Sequence, residues 1–168
     1  MPNMVRTQEI TETNLSKAVV DLLIEIPMFD QIVSDDLKTL AKHMNFMDFQ
    51  PKEVIFSEGD KGDFVCFVTR GALDVLKRNE RGKEVVIATL GKGRSIGEMA
   101  VIDDFPRSAT VRAKTHTTLV ILTRKGFDQL LDQHPQIGVK LLKGLARLLS
   151  MNMRKTSSLL ADYMLPLT

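Results

Sequence analysis

The feature that most constrains the fold is a succession of six short β-prone runs between residues 53 and 122, with no helix between them. The runs are EVIF, FVCFV, ALDVLK, EVVIATL, SATVRA and TTLVIL, and turn-forming sequences such as GDKGD, NERGK and GKG separate them. Strands at near-regular spacing without helices between them favour antiparallel pairing over a parallel sheet. The sequence therefore predicts an antiparallel roll, barrel or sandwich.

Helical periodicity flanks the strands on both sides. Apolar residues recur at helical spacing from 15 to 26, where Pro27 ends the run, and again from 37 to 44. A short helix is predicted around Phe127, and a longer one follows Pro135. The long helix carries an apolar stripe that is wider than one contact needs. The stripe consists of Ile137, Leu141, Leu142, Leu145, Leu148 and Leu149.

Length and composition agree with one soluble domain. The 168 residues can fill one core of ordinary size, and no apolar run approaches the roughly 20 residues that cross a bilayer. The first residues lack the apolar core of a secretory signal, and the single Cys66 cannot form an internal disulfide, so we expect a cytoplasmic protein. The expected single domain, 1–168, has N-terminal helices in 1–45, a β-roll in 46–123 and C-terminal helices in 124–164.

The segment RSIGEMAVIDDFPRSATVRA, residues 94–113, interrupts the strands with a helix-like turn and then places an arginine at the start of a strand. Gly97 permits close approach of the backbone, and a turn beginning at Glu98 would point free N–H groups at one spot. Arg107 supplies a planar, permanently charged group that suits two phosphate oxygens. Glu98 can accept hydrogen bonds from a ribose hydroxyl. These residues predict an anion and sugar site.

The run IGEMA, followed after an acidic spacer by PRSATV, resembles the phosphate-binding cassette of the cyclic-nucleotide-binding domain family. The resemblance extends to IPMFDQIVSDDLKTLAKHM, EGDKGDFVCFVTRGALDVL and KGFDQLLDQHPQIGVKLLKGLARLL. It implies an α+β fold: an eight-stranded antiparallel β-roll, jelly-roll-like, with the cassette (96–111) inside, N-terminal helices, and a long C-terminal helix over the ligand. It also implies that Glu98 binds the ribose 2′-hydroxyl and Arg107 the cyclic phosphate. The ligand-binding residues predicted in the cassette are Gly97, Glu98, Met99, Ala100, Arg107, Ser108 and Ala109.

The layout is most similar to the sensor half of the bacterial catabolite-activator group. This similarity implies that Thr156 and Ser157 approach the adenine, and the alternative is that both are ordinary solvated helix residues. The residues after Tyr163 are too few for the helix-turn-helix of that group, so no DNA binding is expected. Ser108 has a hydroxyl but lacks the methyl of the threonine that often accompanies a preference for cyclic GMP. We therefore expect cyclic AMP as the ligand, with cyclic GMP as the alternative.

Two functions remain open on the sequence. The first is a ligand-gated regulatory module, in which cyclic nucleotide pulls the C-terminal helix onto the roll and changes the surface offered to a partner protein. The second is a ligand-free β-roll domain for dimerisation or interaction. Glu98 and Arg107 favour the first, because a buried arginine without an anion is costly. No enzyme activity, cofactor or metal is expected, since the three histidines lack ligand spacing and Cys66 lies within an apolar strand.

The long helix is also predicted to form a parallel homodimer. Leu141, Leu145 and Leu148 follow the alternating four and three spacing of a coiled-coil seam, and Asn152 is the next position. The alternative is that these leucines cover the subunit's own roll. The same helix contains an acid-free basic stretch, which is either a solvated face or a surface for an acidic partner. Its basic residues are Lys140, Lys143, Arg147, Arg154 and Lys155.

Overall fold

The computed structural model describes residues 12–164, in which helices precede and follow two antiparallel sheets. The predicted domain also includes residues 1–11 and 165–168, which lie outside the described residues. Turns of 3-10 helix at Pro27–Phe29 and Glu98–Val101 interrupt the chain. The helices are α1 (Glu12–Leu23), α2 (Ser34–Ala41), α3 (Arg124–Gln133) and α4 (Pro135–Met164).

Eight strands form two four-stranded sheets with the orders β1-β8-β3-β6 and β2-β7-β4-β5, and every neighbouring pair is antiparallel. The predicted eight-stranded antiparallel β-roll is confirmed. All six β-prone runs match strands to within two residues at each end, while β1 and the two-residue β6 had no run of their own. The strands are β1 (Met44–Phe49), β2 (Val54–Phe56), β3 (Phe64–Arg70), β4 (Ala72–Arg78), β5 (Glu84–Gly91), β6 (Ser95–Ile96), β7 (Thr110–Ala113) and β8 (Thr117–Thr123).

Strand β3 shows why some runs are apolar at successive positions. Because side chains alternate along a strand, Val65 and Phe67 face the helices, whereas Cys66 and Val68 face the space between the sheets. All four are at most 1% exposed. The roll therefore has two apolar layers, one between its sheets and one beneath the helices.

The first half of α4 belongs to the second layer. Ile137, Leu141 and Leu145 are buried with the N-terminal helices, and Leu148 packs at the edge of the same cluster. A Cβ at Gly144 would lie 2.1 Å from the carbonyl oxygen of Met28, so only glycine permits this close approach. The predicted seam is thus wrong for Leu141 and Leu145, because the chain's own roll takes up both side chains.

Two basic residues of α4 pair with acids of the N-terminal segment. Lys140 Nζ lies 2.6 Å from Asp36 Oδ2, and Arg147 donates to both carboxylate oxygens of Asp30 at 3.1 Å. This part of the predicted basic face therefore forms ion pairs within the chain. Within residues 12–164, no helix combines the length and the hydrophobicity that crossing a bilayer requires.

Candidate functional site

The predicted cassette encloses a concave pocket that opens to solvent. Its empty volume, including the open part, is about 560 Å³, which is within the range of small-molecule sites. All of its lining residues except Phe56 lie between residues 96 and 111. The lining includes every site residue predicted in the cassette: Gly97, Glu98, Met99, Ala100, Arg107, Ser108 and Ala109.

Arg107 is buried in the wall of this pocket, with 5% of its surface exposed. Its guanidinium donates to two backbone oxygens, from Nη2 to Phe64 at 2.9 Å and from Nη1 to Gly97 at 3.3 Å. The buried Nε has no hydrogen-bond partner, and none of the ion pairs among residues 12–164 involves Arg107. The side chain is thus a buried cation that forms no ion pair with any residue in the described part of the chain.

Two aromatic rings hold the guanidinium in place. Its Cζ lies 4.0 Å from the ring centre of Phe56 and 4.5 Å from that of Phe64. Such cation–π contacts partly replace lost hydration without supplying a negative charge. Burial lowers the pKa of Arg107 from its ordinary value, and Cys66, Asp63 and Asp60 oppose this shift.

Glycines on both sides leave room for Arg107. Gly97 has a φ of 82°, in the left-handed region, and a Cβ there would lie 2.4 Å from Arg107 Nη1. A Cβ at Gly62 would lie 2.5 Å from the Cβ of Ala100 and 3.1 Å from Arg107 Nε. Both glycines are therefore required for the arginine to occupy this position.

The loop that carries Gly62 also fixes the backbone of Arg107. The Arg107 amide donates to the carbonyl of Asp60 at 2.8 Å, and the amide of Gly59 donates to the carbonyl of Arg107 at 2.9 Å. The GDKGD loop between β2 and β3 thus helps to position Arg107. This loop and the cassette lie on either side of the arginine.

Glu98 lies at the start of the 3-10 turn, half-buried beside the pocket. Its Oε1 accepts a hydrogen bond of 3.1 Å from Nδ2 of Asn152 in α4. Burial raises the pKa of Glu98, while the backbone, Asn152, Arg107 and Arg94 act in the opposite direction. The pocket therefore combines a hydrogen-bond acceptor with the cationic group of Arg107.

The turn itself supplies fewer free donors than the sequence suggests. The amide of Ala100 donates to the carbonyl of Gly97 at 3.1 Å, so this N–H is used inside the turn. Met99 is 48% exposed at the rim. Ser108 is exposed, and its carbonyl accepts a hydrogen bond from Lys77.

Thr156 and Ser157 do not line the pocket. Both are exposed on α4, and the Thr156 hydroxyl donates to the carbonyl of Asn152 at 3.0 Å. This bond runs back to the preceding turn of the same helix. Their approach to a purine stays a prediction.

The cysteine, the histidines and an acidic residue of the cassette loop were also considered as reactive or metal-binding groups. Cys66 is fully buried, and burial raises the pKa of its thiol to about 12, as expected for a residue that packs rather than reacts. His43 and His134 approach with ring centres 6.4 Å apart, although they are distant in sequence. Among residues 12–164, no group of three or more histidines, cysteines or acids is arranged to hold a metal ion. Asp104 pairs with Arg124 at 2.6 Å.

Four residues that shape the site were not predicted from sequence: Phe56, Gly62, Phe64 and Asn152. The two phenylalanines looked like ordinary core residues of β-prone runs, and Gly62 like a turn residue. Asn152 was assigned to a dimer seam. Each acts through a contact with a residue at least 35 positions away along the chain, which local patterns do not encode.

A family model described as the cyclic nucleotide-binding domain matches residues 46–134, which include the whole pocket. The cAMP-dependent protein kinase regulatory subunit of Yarrowia lipolytica is 36% identical over 109 residues, 65% of this chain and 28% of that protein. The cAMP-activated global transcriptional regulator CRP of Salmonella typhimurium is 30% identical over 124 residues, 73% of this chain and 59% of that protein. The chain thus spans less than two thirds of either relative.

Among solved structures, a cyclic nucleotide-binding domain from Methylobacillus flagellatus superimposes with a TM-score of 0.77. It is 29% identical, and the alignment covers 91% of this chain and 84% of that one. Fold, pocket and sequence match therefore agree, and the chain belongs to the cyclic-nucleotide-binding domain family.

Proposed function

We propose that this chain is a cyclic AMP sensor. In the bound state Arg107 pairs with the cyclic phosphate, Glu98 accepts the ribose 2′-hydroxyl, and the purine lies towards the open side of the pocket. The relatives named above are described as cAMP-dependent or cAMP-activated, which supports cyclic AMP over other anions.

The observation that carries this proposal is the buried Arg107, whose Nε has no hydrogen-bond partner and whose charge has no ion-pair partner among residues 12–164. A buried charge without a counter-ion costs free energy, and a buried donor without an acceptor adds to that cost. A phosphate oxygen at Nε would remove both penalties at once. A protein that kept the roll only for dimerisation would gain more stability from an apolar residue at this position.

Ser108 favours cyclic AMP over cyclic GMP. It lines the pocket directly after the arginine and lacks the methyl group of threonine. We expect both nucleotides to bind, with cyclic AMP the tighter.

Thermal unfolding with added ligands tests the proposal. At 100 times its dissociation constant, cyclic AMP should add about 2.7 kcal/mol to the free energy of unfolding. Adenosine is the matched control, because it keeps the purine and ribose but lacks the phosphate, and it should add little. If neither cyclic AMP nor cyclic GMP changes the stability, the result would favour the alternative, a ligand-free interaction domain.

We further propose that α4 transmits the bound state to a partner protein. Its first half contacts the domain as far as Asn152, and its second half presents exposed apolar side chains. The output is therefore a surface rather than a reaction, and we expect no catalytic activity and no specific DNA binding by this chain.

A homodimer through α4 remains part of the proposal, but with a different seam from the one predicted. An alternative stripe has the same alternating spacing of four and three, faces away from the core, and is exposed or half-exposed throughout. A second copy can pair with it in register, because the stripe is complementary to itself. Its residues are Leu142, Ala146, Leu149, Met153, Thr156, Leu160 and Tyr163.

A further inference from the structure

Asn152 marks the end of the contact between α4 and the roll. It is half-buried, whereas every residue from 153 to 164 is exposed. Its Nδ2 donates to Glu98 Oε1 at 3.1 Å. Among the described residues, no other side-chain hydrogen bond joins α4 to the cassette; the other bonds from this helix reach α2, the segment after Phe29, or α4 itself.

We propose that Asn152 is a positioning residue for the ligand: it holds the Glu98 carboxylate ready for the ribose 2′-hydroxyl and thereby links binding to the placement of α4. This inference rests on the proposed function, since it assigns a role to a neighbour of the same site. It concerns a residue that the sequence suggested only as part of a dimer seam.

The two hydrogen bonds at Glu98 are compatible. A carboxylate offers about four acceptor positions, and the Asn152 amide uses one of them on Oε1. A ribose hydroxyl can therefore donate to Oε2 without displacing the helix. Because the asparagine is neutral, it orients the carboxylate without cancelling the negative charge that strengthens a bond from the hydroxyl.

Protonation of Glu98 should reveal this arrangement. Burial raises the pKa of Glu98, whereas its backbone hydrogen bond, Asn152, Arg107 and Arg94 lower it. Cys66 also faces this region, but its thiol stays neutral at physiological pH because its own pKa is about 12. Loss of the Asn152 donor should raise the pKa of Glu98 further, so the carboxylate becomes neutral at a higher pH.

Calorimetric titration of cyclic AMP and 2′-deoxy cyclic AMP into wild type, Asn152→Ala, Glu98→Gln and the double variant tests the proposal. Asn152→Ala should weaken the binding of cyclic AMP about threefold to tenfold at neutral pH. The same substitution should change the affinity for the deoxy ligand by less than about twofold. It should also change the affinity for cyclic AMP by less than about twofold when Glu98 is already replaced by Gln, because the two residues act as a unit. Ser158→Ala is the matched control, an exposed polar residue of α4 that bonds only its own helix.

Two pH profiles separate positioning from a structural role. For Asn152→Ala the loss of affinity should grow as pH falls into the range where Glu98 is neutral in the variant but still charged in wild type, and should shrink again once Glu98 is neutral in both. For Asn152→Asp the loss should be largest at high pH, where two carboxylates repel, and should shrink as they share a proton at low pH. A structural defect would give parallel, pH-independent losses in both variants.

The outcomes are distinguishable. If wild type binds cyclic AMP and Asn152→Ala binds it equally well, the inference is wrong while the proposed function stands. Equal losses for cyclic AMP and its deoxy form would also overturn it, because the effect would not pass through the 2′-hydroxyl. If wild type binds neither cyclic AMP nor 2′-deoxy cyclic AMP, the proposed function itself fails.

Discussion

The two halves of α4 both contain large apolar side chains but have different surroundings. Residues 135–152 bury apolar side chains against the roll, make two ion pairs with the N-terminal segment and reach Glu98. Residues 153–164 are exposed at every position, although five of them are large and apolar. Exposed apolar side chains in such a cluster are typical of an interaction surface. Helical periodicity in a sequence therefore identifies an apolar stripe but not whether the stripe is buried.

The largest effect should come from a core residue of the first half. Leu141 is 1% exposed, so Leu141→Ala should lower the free energy of unfolding by about 2–5 kcal/mol through lost burial and a cavity. Urea denaturation measures this loss. A change below about 0.5 kcal/mol would mean that α4 does not pack as described.

A smaller loss is expected at Gly144. Alanine is normally the better helix residue, but here its Cβ would meet the carbonyl oxygen of Met28, which is backbone and cannot easily move. Gly144→Ala should therefore cost about 1–3 kcal/mol. A stabilised variant in the same urea experiment would show that the helix and the Pro27–Phe29 turn are further apart.

The free energy of unfolding should depend on the protonation of Glu98, which Asn152 contacts at the boundary between the two halves of α4. Because the pKa of Glu98 lies above its ordinary value of 4.5 in the folded state, the folded protein holds this proton more tightly than the unfolded chain. Ionisation of Glu98 therefore destabilises the ligand-free fold progressively as pH rises above 4.5, and fully above the folded pKa. Glu98→Gln avoids this cost, so it should be more stable than wild type at neutral pH and lose that advantage near pH 4. A variant less stable than wild type at neutral pH would contradict this reasoning.

The smallest effect on folding should come from the second half. Leu160 is 59% exposed, so Leu160→Glu should change the unfolding free energy of the monomer by no more than about 0.5 kcal/mol. The same change should abolish the proposed dimer, because it places like charges opposite each other in the seam. Light scattering at tens of micromolar measures the molar mass, with Lys155→Glu, which is outside the stripe, as control. A monomeric wild-type protein with cyclic AMP present would rule out the dimer.

Much of the fold and cassette could be predicted from the sequence, because short β-prone runs, turns and the spacing of Gly97, Glu98 and Arg107 are local features. The predicted stripe through Leu141 and Leu145 is buried, and the stripe proposed in its place, through Leu142 and Leu149, is displaced by one position. Adjacent stripes on a helix look alike in sequence, and only the orientation of α4 against the roll decides which is buried.

The surroundings of Arg107 were equally beyond local patterns. Its backbone partner Asp60 and the glycine beside it come from another loop, and its aromatic neighbours come from two other strands. These contacts depend on how β2, β3 and the cassette meet in three dimensions. The sequence could indicate a buried arginine for a phosphate, but not which residues would surround it.

The most direct test of the account is calorimetric titration of cyclic AMP into wild type, Arg107→Ala and the control Arg112→Ala, a half-buried arginine of β7 that does not line the pocket. We expect Arg107→Ala to weaken binding by about 2–5 kcal/mol, at least tenfold, while Arg112→Ala stays close to wild type. A melting curve for each variant confirms that it is folded. Equal affinity of wild type and a folded Arg107→Ala variant would contradict the central claim that this buried arginine is the phosphate-binding group.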